Sequence, residues 1–231
     1  KLSKATPTRS TLPILSCVYI EVLDEKTILR TTDLEITIQV EIPTSCEEKG
    51  LAALPLKTLL EITNELPEAR LTISVDGKQK ATIETDLGKY DLMSRSPEEF
   101  PTTPKQKETK KISFNGMVLK NIIESTSFAV SQDELKPSLT GVLFKFSEKG
   151  FTAVSTDGHR LVKQNRTDFS TEGFNEEVIV PKKFLTYLST QLSEDDINLI
   201  MGDSFLKAQL KNDIVITKII DEKFPDYNSV I

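Results

Sequence analysis

The chain has little of what most catalytic and metal centres are built from. Its 231 residues include one histidine, His159, two cysteines, Cys17 and Cys46, nine glycines and no tryptophan. One histidine and two cysteines without ligand spacing do not make the clustered nitrogen and sulfur donors of a zinc site, and no metal or cofactor is expected. No G-x-x-x-x-G-K-[ST] loop is present to cradle phosphates, and no G-x-S-x-G elbow to present a serine. Asp157 and His159 leave a Ser-His-Asp arrangement conceivable, but its serine and oxyanion donors would have to come from elsewhere in the chain. With only four tyrosines, a surface that stacks the bases of single strands is disfavoured. No apolar run approaches the about 20 residues of a membrane helix. The sparse cysteines suit a reducing, cytoplasmic setting, with Cys17 as a small core residue.

What is present is a soluble-looking composition, 38% hydrophobic and 28% charged, with a net charge of −6. That sign argues against coating nucleic acid by bulk electrostatics, yet leaves room for a basic surface confined to one face.

The strongest signal is internal repetition. Pro137, Leu139, Val142, Thr156 and Asp157 recur 124 positions earlier as Pro13, Leu15, Val18, Thr32 and Asp33. Pro181, Lys183, Leu185 and Leu192 recur 126 positions earlier as Pro55, Lys57, Leu59 and Leu66, and Phe224-Pro225 recurs 124 earlier as Phe100-Pro101. The offset drifts only in polar loops, as a duplicated domain requires. A Pro- and Lys-rich linker, FPTTPKQKETK from Phe100, separates the copies, giving domains 1–106 and 107–231.

Pattern reading places strands at 17–22, 27–31, 36–42, 51–54, 71–75, 80–85 and 89–93 in the first copy, with a helix opening at Pro55 and an Asp76-Gly77 hairpin. The second copy adds a strand at 112–114 and an amphipathic helix from Asn115 to about 127, with Val118, Leu119, Ile122 and Ile123 as its apolar stripe. It continues with strands at 142–147, 151–155, 160–167 and 178–180, a helix from Pro181, and strands at 197–201, 205–210 and 213–219. The fold class is therefore α+β: each domain is two β-α-β-β-β units, with helices on one face of antiparallel sheets. By the repeat, roughly 13 or more residues are expected to be missing in front of Lys1, and Lys1 to Thr6 reads as the remnant of a severed element.

Asp157-Gly158, between two β-prone runs, reads as a tight hairpin turn. It is either a turn and nothing more or, with its echo at Thr32-Asp33, part of a site. The polar helix faces carry Lys120, Lys182 and Lys183, and Lys57 in the first copy. Such a face is either mere solvation or, since Lys57 and Lys183 occupy matching places, a shared role.

Taken together, Thr11-Leu12-Pro13-Ile14-Leu15, Thr32-Asp33-Leu34-Glu35, Leu139 with Gly141-Val142-Leu143-Phe144, Thr156-Asp157-Gly158-His159-Arg160-Leu161 and Phe224-Pro225-Asp226-Tyr227 closely resemble the bacterial sliding clamps, the β subunits of DNA polymerase III. The resemblance covers the whole chain in order. It implies two tandem clamp-type domains with helices on the inner face and sheets outside, in subunits that pair as a ring-shaped homodimer around duplex DNA. It implies a processivity factor for DNA replication that does no chemistry, with no membrane role. Its partners would be sequence-independent double-stranded DNA, the polymerase III α subunit, the clamp loader and other proteins bearing a clamp-binding motif. DNA would meet Lys57, Lys120, Lys182 and Lys183 on the pore face, with Arg9 just ahead of the T-L-P-I-L segment. A short, partly hydrophobic peptide would dock on Leu139, Thr156, Gly158, His159, Arg160, Leu161, Pro225 and Val230. Gly158 would let the peptide backbone come close. Such clamps have three domains, so the third is expected to be absent here, leaving ring and groove incomplete. Two readings compete: a duplicated α+β interaction module for some other partner, and a hydrolase built around His159.

Overall fold

In the computed structural model, Asn115 marks the change from strand to helix that opens the second half of the chain. Its side-chain oxygen accepts hydrogen bonds from the backbone N–H groups of Met117 (3.1 Å) and Val118 (3.3 Å), satisfying two donors that a helix start leaves without partners. Its amide nitrogen donates to the Glu194 carbonyl at 2.9 Å, tying the start to the loop before a later strand. The structure describes residues 1–67, 70–76, 79–102, 110–148, 150–167 and 175–231. The chain divides into two units, Lys1–Pro104 and Lys105–Ile231. The expected boundary at 106/107, most of the linker, and Gly77 of the expected Asp76-Gly77 hairpin lie outside the described residues.

The first unit contains β1 (Cys17–Val22), β2 (Lys26–Thr32), β3 (Ile36–Pro43), β4 (Gly50–Pro55), α1 (Leu56–Glu65), β5 (Leu71–Val75), β6 (Lys80–Thr85) and β7 (Gly88–Met93). Its strands form two antiparallel sets, β4-β1-β2-β3 and β5-β6-β7. The core between them holds Val18, Ile20, Ala52, Leu54, Leu56 and Ala81.

The second unit contains β8 (Lys110–Asn115), α2 (Gly116–Thr126), β9 (Gly141–Ser147), β10 (Gly150–Thr156), β11 (Leu161–Arg166), β12 (Glu176–Pro181), α3 (Lys182–Ser189), β13 (Asp196–Met201), β14 (Phe205–Gln209) and β15 (Asp213–Lys218). Again two antiparallel sets form, β11-β10-β9-β12 and β15-β14-β13-β8. Helix α2 packs on β8, β10, β11 and α3, and α3 packs on β12 and β15. The α+β class with antiparallel sheets is the class the alternating and helical patterns predict.

The duplication holds at the level of elements. Moving β10 back 124 positions lands on β2, and moving β12 back 126 lands on β4. One detail differs from the sequence reading. Pro55 and Pro181 are the N-cap residues of α1 and α3, not their first helical residues, because each still pairs in its strand, Pro55 with Cys17 and Pro181 with Gly141. Lys1 to Thr6 is packed against the first unit. Leu2–Ala5 forms a 3-10 turn whose Ala5 is fully buried, and Thr31 donates its hydroxyl to the Leu2 carbonyl at 2.8 Å.

Candidate functional site

The β10–β11 connection is not a two-residue Asp-Gly turn. The last strand pair is Thr156 with Leu161, leaving four residues, Asp157 to Arg160, in the loop. The reason is competition from side chains that mimic backbone partners. The Thr156 hydroxyl donates to the Arg160 carbonyl (2.8 Å) and accepts from the Gly158 N–H (3.0 Å). One Asp157 carboxylate oxygen accepts from the N–H groups of both His159 and Arg160, each at 3.0 Å. Those two donors, with help from the Arg160 guanidinium, hold the Asp157 carboxyl down to about 2. Gly158 has φ +92°, and a Cβ there would meet nothing within 4 Å, so glycine is set by conformation rather than by crowding.

The same loop is built in the first unit. Thr32 donates to the Ile36 carbonyl (3.0 Å) and accepts from the Leu34 N–H (3.1 Å), while Asp33 accepts from the N–H groups of Glu35 (3.1 Å) and Ile36 (2.9 Å). Leu34, standing where Gly158 stands, takes φ +75°.

Beside the second loop lies an apolar cluster. Leu143 of β9, Val154 of β10, Ile179 of β12 and Phe224 are buried together, and Leu161, Ile220 and Tyr227 pack against them partly exposed. The segment after β15 is fixed there by the Ile220 N–H, which donates to the Ile179 carbonyl at 3.0 Å. Tyr227 meets the Phe224 ring edge-on at 6.4 Å and lies under the Lys163 ammonium at 5.1 Å. Asp226 accepts from the Asn228 N–H at 3.1 Å, starting a final 3-10 turn, Tyr227–Val230.

Leu161 thus joins the cluster, and Pro225 stands exposed between two of its neighbours, Phe224 and Asp226. Leu139 is buried at the end of the turn Pro137–Leu139, its carbonyl accepting from Ser131 N–H at 2.9 Å. Thr156 is buried in the loop's own bonding, while Gly158, His159 and Arg160 are exposed. Val230 is 74% exposed and is not part of the cluster. Sequence reasoning missed Lys163, Phe224 and Tyr227 as parts of this surface. Phe224 and Tyr227 stood in a segment already marked as distinctive, but a cation over a ring leaves no sequence signal.

The basic candidates lie on helices, apart from Arg9, which is exposed ahead of the 3-10 turn Pro13–Ser16. In α2 the buried positions include Leu119, Ile122 and Ile123, and in α3 Phe184, Leu185 and Leu188. Lys120, Lys182 and Lys183 remain at least partly exposed on these two mutually packed helices. Lys57 occupies α1, its side chain 89% exposed and 3.8 Å from Glu61, one turn away. Such an exposed pair is weak and screened, so it does not withdraw the ammonium from other partners. Among the described residues no group of His, Cys, Asp and Glu could hold a metal ion, and no helix is long and apolar enough to cross a membrane.

Residues 1–104 match the family model of the DNA polymerase III beta subunit, N-terminal domain, and residues 113–226 that of its central domain. The chain is 28% identical over 232 residues to the beta sliding clamp of Chlamydia muridarum, covering all of this chain and 63% of that protein. The crystal structure of the DNA polymerase sliding clamp from Bacillus subtilis superposes with a TM-score of 0.92 at 28% identity, over 100% of this chain and 63% of that one. The sliding clamp from Pseudomonas aeruginosa bound to griselimycin gives 0.90 at 27% identity, over 100% and 63%. The chain therefore spans a little under two thirds of these relatives' length.

Proposed function

The chain belongs to the DNA polymerase III beta subunit family, and on that premise we propose that it forms the first two domains, 1–106 and 107–231, of a sliding clamp. The protein is a non-catalytic, cytoplasmic processivity factor. It closes as a homodimeric ring around duplex DNA and tethers the replicative polymerase. Its partners are the polymerase α subunit, the clamp loader and other proteins with a clamp-binding peptide.

The observation that carries this reading is a coincidence in one unit. The Thr156–Leu161 loop, one of the segments that carry the resemblance, borders the apolar cluster of Leu143, Val154, Ile179 and Phe224. A few apolar anchors beside exposed polar groups suit a small docking groove whose visitors must exchange. Leu139, Leu161, Pro225 and Val230 supply its apolar walls, Thr156 and Gly158 its shape, and His159 and Arg160 its polar rim. The lysines support the other half of the reading. Lys120, Lys182, Lys183 and Lys57, with Arg9, offer a few sequence-blind phosphate contacts on an otherwise acidic protein. A ring that must slide needs retention from topology rather than from tight binding.

The test is a titration of the full-length protein with a fluorescein-labelled C-terminal peptide of the polymerase α subunit, repeated with griselimycin as competitor. Leu161→Ser removes an apolar anchor and is expected to weaken the peptide about tenfold or more. Unaltered binding in that variant would overturn the groove.

A further inference from the structure

We propose that Asp157 and Phe128 are positioning residues of the docking site, acting through Arg160, an inference that rests on the groove reading above. The Arg160 guanidinium is held from two sides. Its Nε donates to the Asp157 carboxylate at 2.9 Å, its Nη2 donates to the Phe128 carbonyl at 2.9 Å, and it lies 5.7 Å from the centre of the half-exposed Phe128 ring. Asp157 uses its other oxygen to fix the loop backbone. Arg160 therefore latches the β10–β11 loop onto the 3-10 turn Ser127–Ala129 that follows α2.

Two further bonds run along the same seam. Ser155 donates to the Thr126 carbonyl at 2.6 Å, and Ser125 bonds Gln164 of β11. The seam thus joins the end of α2 to the hairpin that carries Thr156 and Leu161.

The first unit shows that the loop does not need this latch in order to fold. Its Thr32-Asp33 loop makes the same four hydrogen bonds with Ile36 where Arg160 stands. The residue 124 positions before Phe128 is Lys4. The guanidinium and the ring are thus additions, since Ile36 and Lys4 stand at the matching positions of a loop with the same four hydrogen bonds. Their effect is to fix where the 3-10 turn stands beside the loop, the edge that an incoming peptide must meet. A lysine keeps the charge but, with one nitrogen and no flat face, cannot serve carboxylate, carbonyl and ring together.

The experiment is the same peptide titration in the full-length protein, with Asp157→Asn, Arg160→Lys, their double variant, Phe128→Leu and the Leu161→Ser control. Asn at 157 can still accept the two backbone N–H groups, so the loop is kept while the ion pair is lost. Asp157→Asn and Arg160→Lys are each expected to weaken binding about threefold to tenfold, with melting temperatures within about 2 °C of the parent. The double variant should bind no worse than the weaker single one, because both break one latch. Phe128→Leu should weaken binding by about twofold or more through loss of the ring face. Parental binding by Arg160→Lys, or a double variant whose loss is the product of the two single losses, would show a charge meeting the peptide directly and overturn the inference. If Leu161→Ser also bound normally, the groove reading itself would fall, an outcome distinct from failure of the latch alone.

Discussion

Strands β13 and β5 hold the same place in the two units, each following a helix and opening a three-stranded meander, yet their burial differs sharply. In β13, Ile197, Leu199 and Ile200 are at most 4% exposed. In β5, Leu71, Ile73 and Val75 are 38–41% exposed. Register shows that this is not a solvent face by design. Ile73 pairs with Ile83 and Val75 with Ala81, both wholly buried, so the β5 side chains share the core face. The helices tell the same story. α3 buries Phe184, Leu185, Tyr187 and Leu188, whereas α1 buries only Leu56. What the second unit has, and the first lacks among the described residues, is the pair β8 and α2. One extends the sheet beyond β13 and the other packs on α3. The strands of the duplicated unit are thus the same with or without that pair, and among the described residues burial is higher where the pair packs.

The largest test of this contrast lies in the rings of the second unit. Phe151 meets Phe114, Phe144 and Phe146 at centroid distances of 5.3, 5.1 and 5.0 Å. Phe151→Ala is expected to cost about 3–5 kcal/mol in urea unfolding, because a tight cluster cannot collapse around the void. Its counterpart 124 positions earlier is Thr27, which bonds Thr44 at 2.8 Å instead. A sharper comparison uses paired strands. Leu199→Thr should cost about 2–4 kcal/mol, while Ile73→Thr should cost under about 1 kcal/mol, since its side chain is already half in water. Equal costs would mean that β5 is covered in solution and the contrast between the units does not hold.

Much of this was legible in the sequence, and the reasons can be named. The repeat was visible because paired identities such as Thr32-Asp33 and Thr156-Asp157, each the last strand residue and the first loop residue, make the same hydrogen bonds in both units. The helix stripe of α2 followed from spacing, with Leu119, Ile122 and Ile123 buried and Val118 only partly so. The Asp157-Gly158 hairpin was legible between strands expected at 151–155 and 160–167, but the dipeptide alone did not show that Thr156 and Asp157 close a four-residue loop with their side chains. The site's floor was hidden for a different reason. Leu143, Val154 and Ile179 obey the same alternation as any core residue, and nothing local says that they border a surface. The latch of Arg160 on Phe128 joins residues 32 positions apart through a backbone carbonyl, which no side-chain pattern encodes.

A smaller effect concerns α3. The Tyr187 hydroxyl is buried without a hydrogen-bond partner, and burial, with Asp213 nearby, pushes its pKa up to about 12. A folded-state value raised above the unfolded value of 10 gives stability that is complete below pH 10 and lost as pH rises toward 12. Tyr187→Phe is expected to stabilise the protein by about 1 kcal/mol at neutral pH and to remove this alkaline loss, as read from melting temperatures across pH 8–12. The residue 126 positions earlier is Glu61, exposed on α1, so the burden belongs to the second unit.

The smallest effect compares the two loops directly. Leu34 takes φ +75°, a region that costs a β-carbon-bearing residue about 1–2 kcal/mol, whereas glycine enters it freely but loses about 0.5–1 kcal/mol more chain entropy on folding. The difference leaves Leu34→Gly stabilising by about 0.5 kcal/mol and Gly158→Leu destabilising by a similar amount. The second estimate is purely conformational, since a Cβ at Gly158 meets nothing within 4 Å. Leu34→Asn separates the two contributions: asparagine tolerates the left-handed region without glycine's entropy, so it should match or exceed glycine. If Asn destabilises while Gly does not, the Leu34 side chain is held by contacts that offset its strain, and the two loops are alike in hydrogen bonds but not in what fixes their tips.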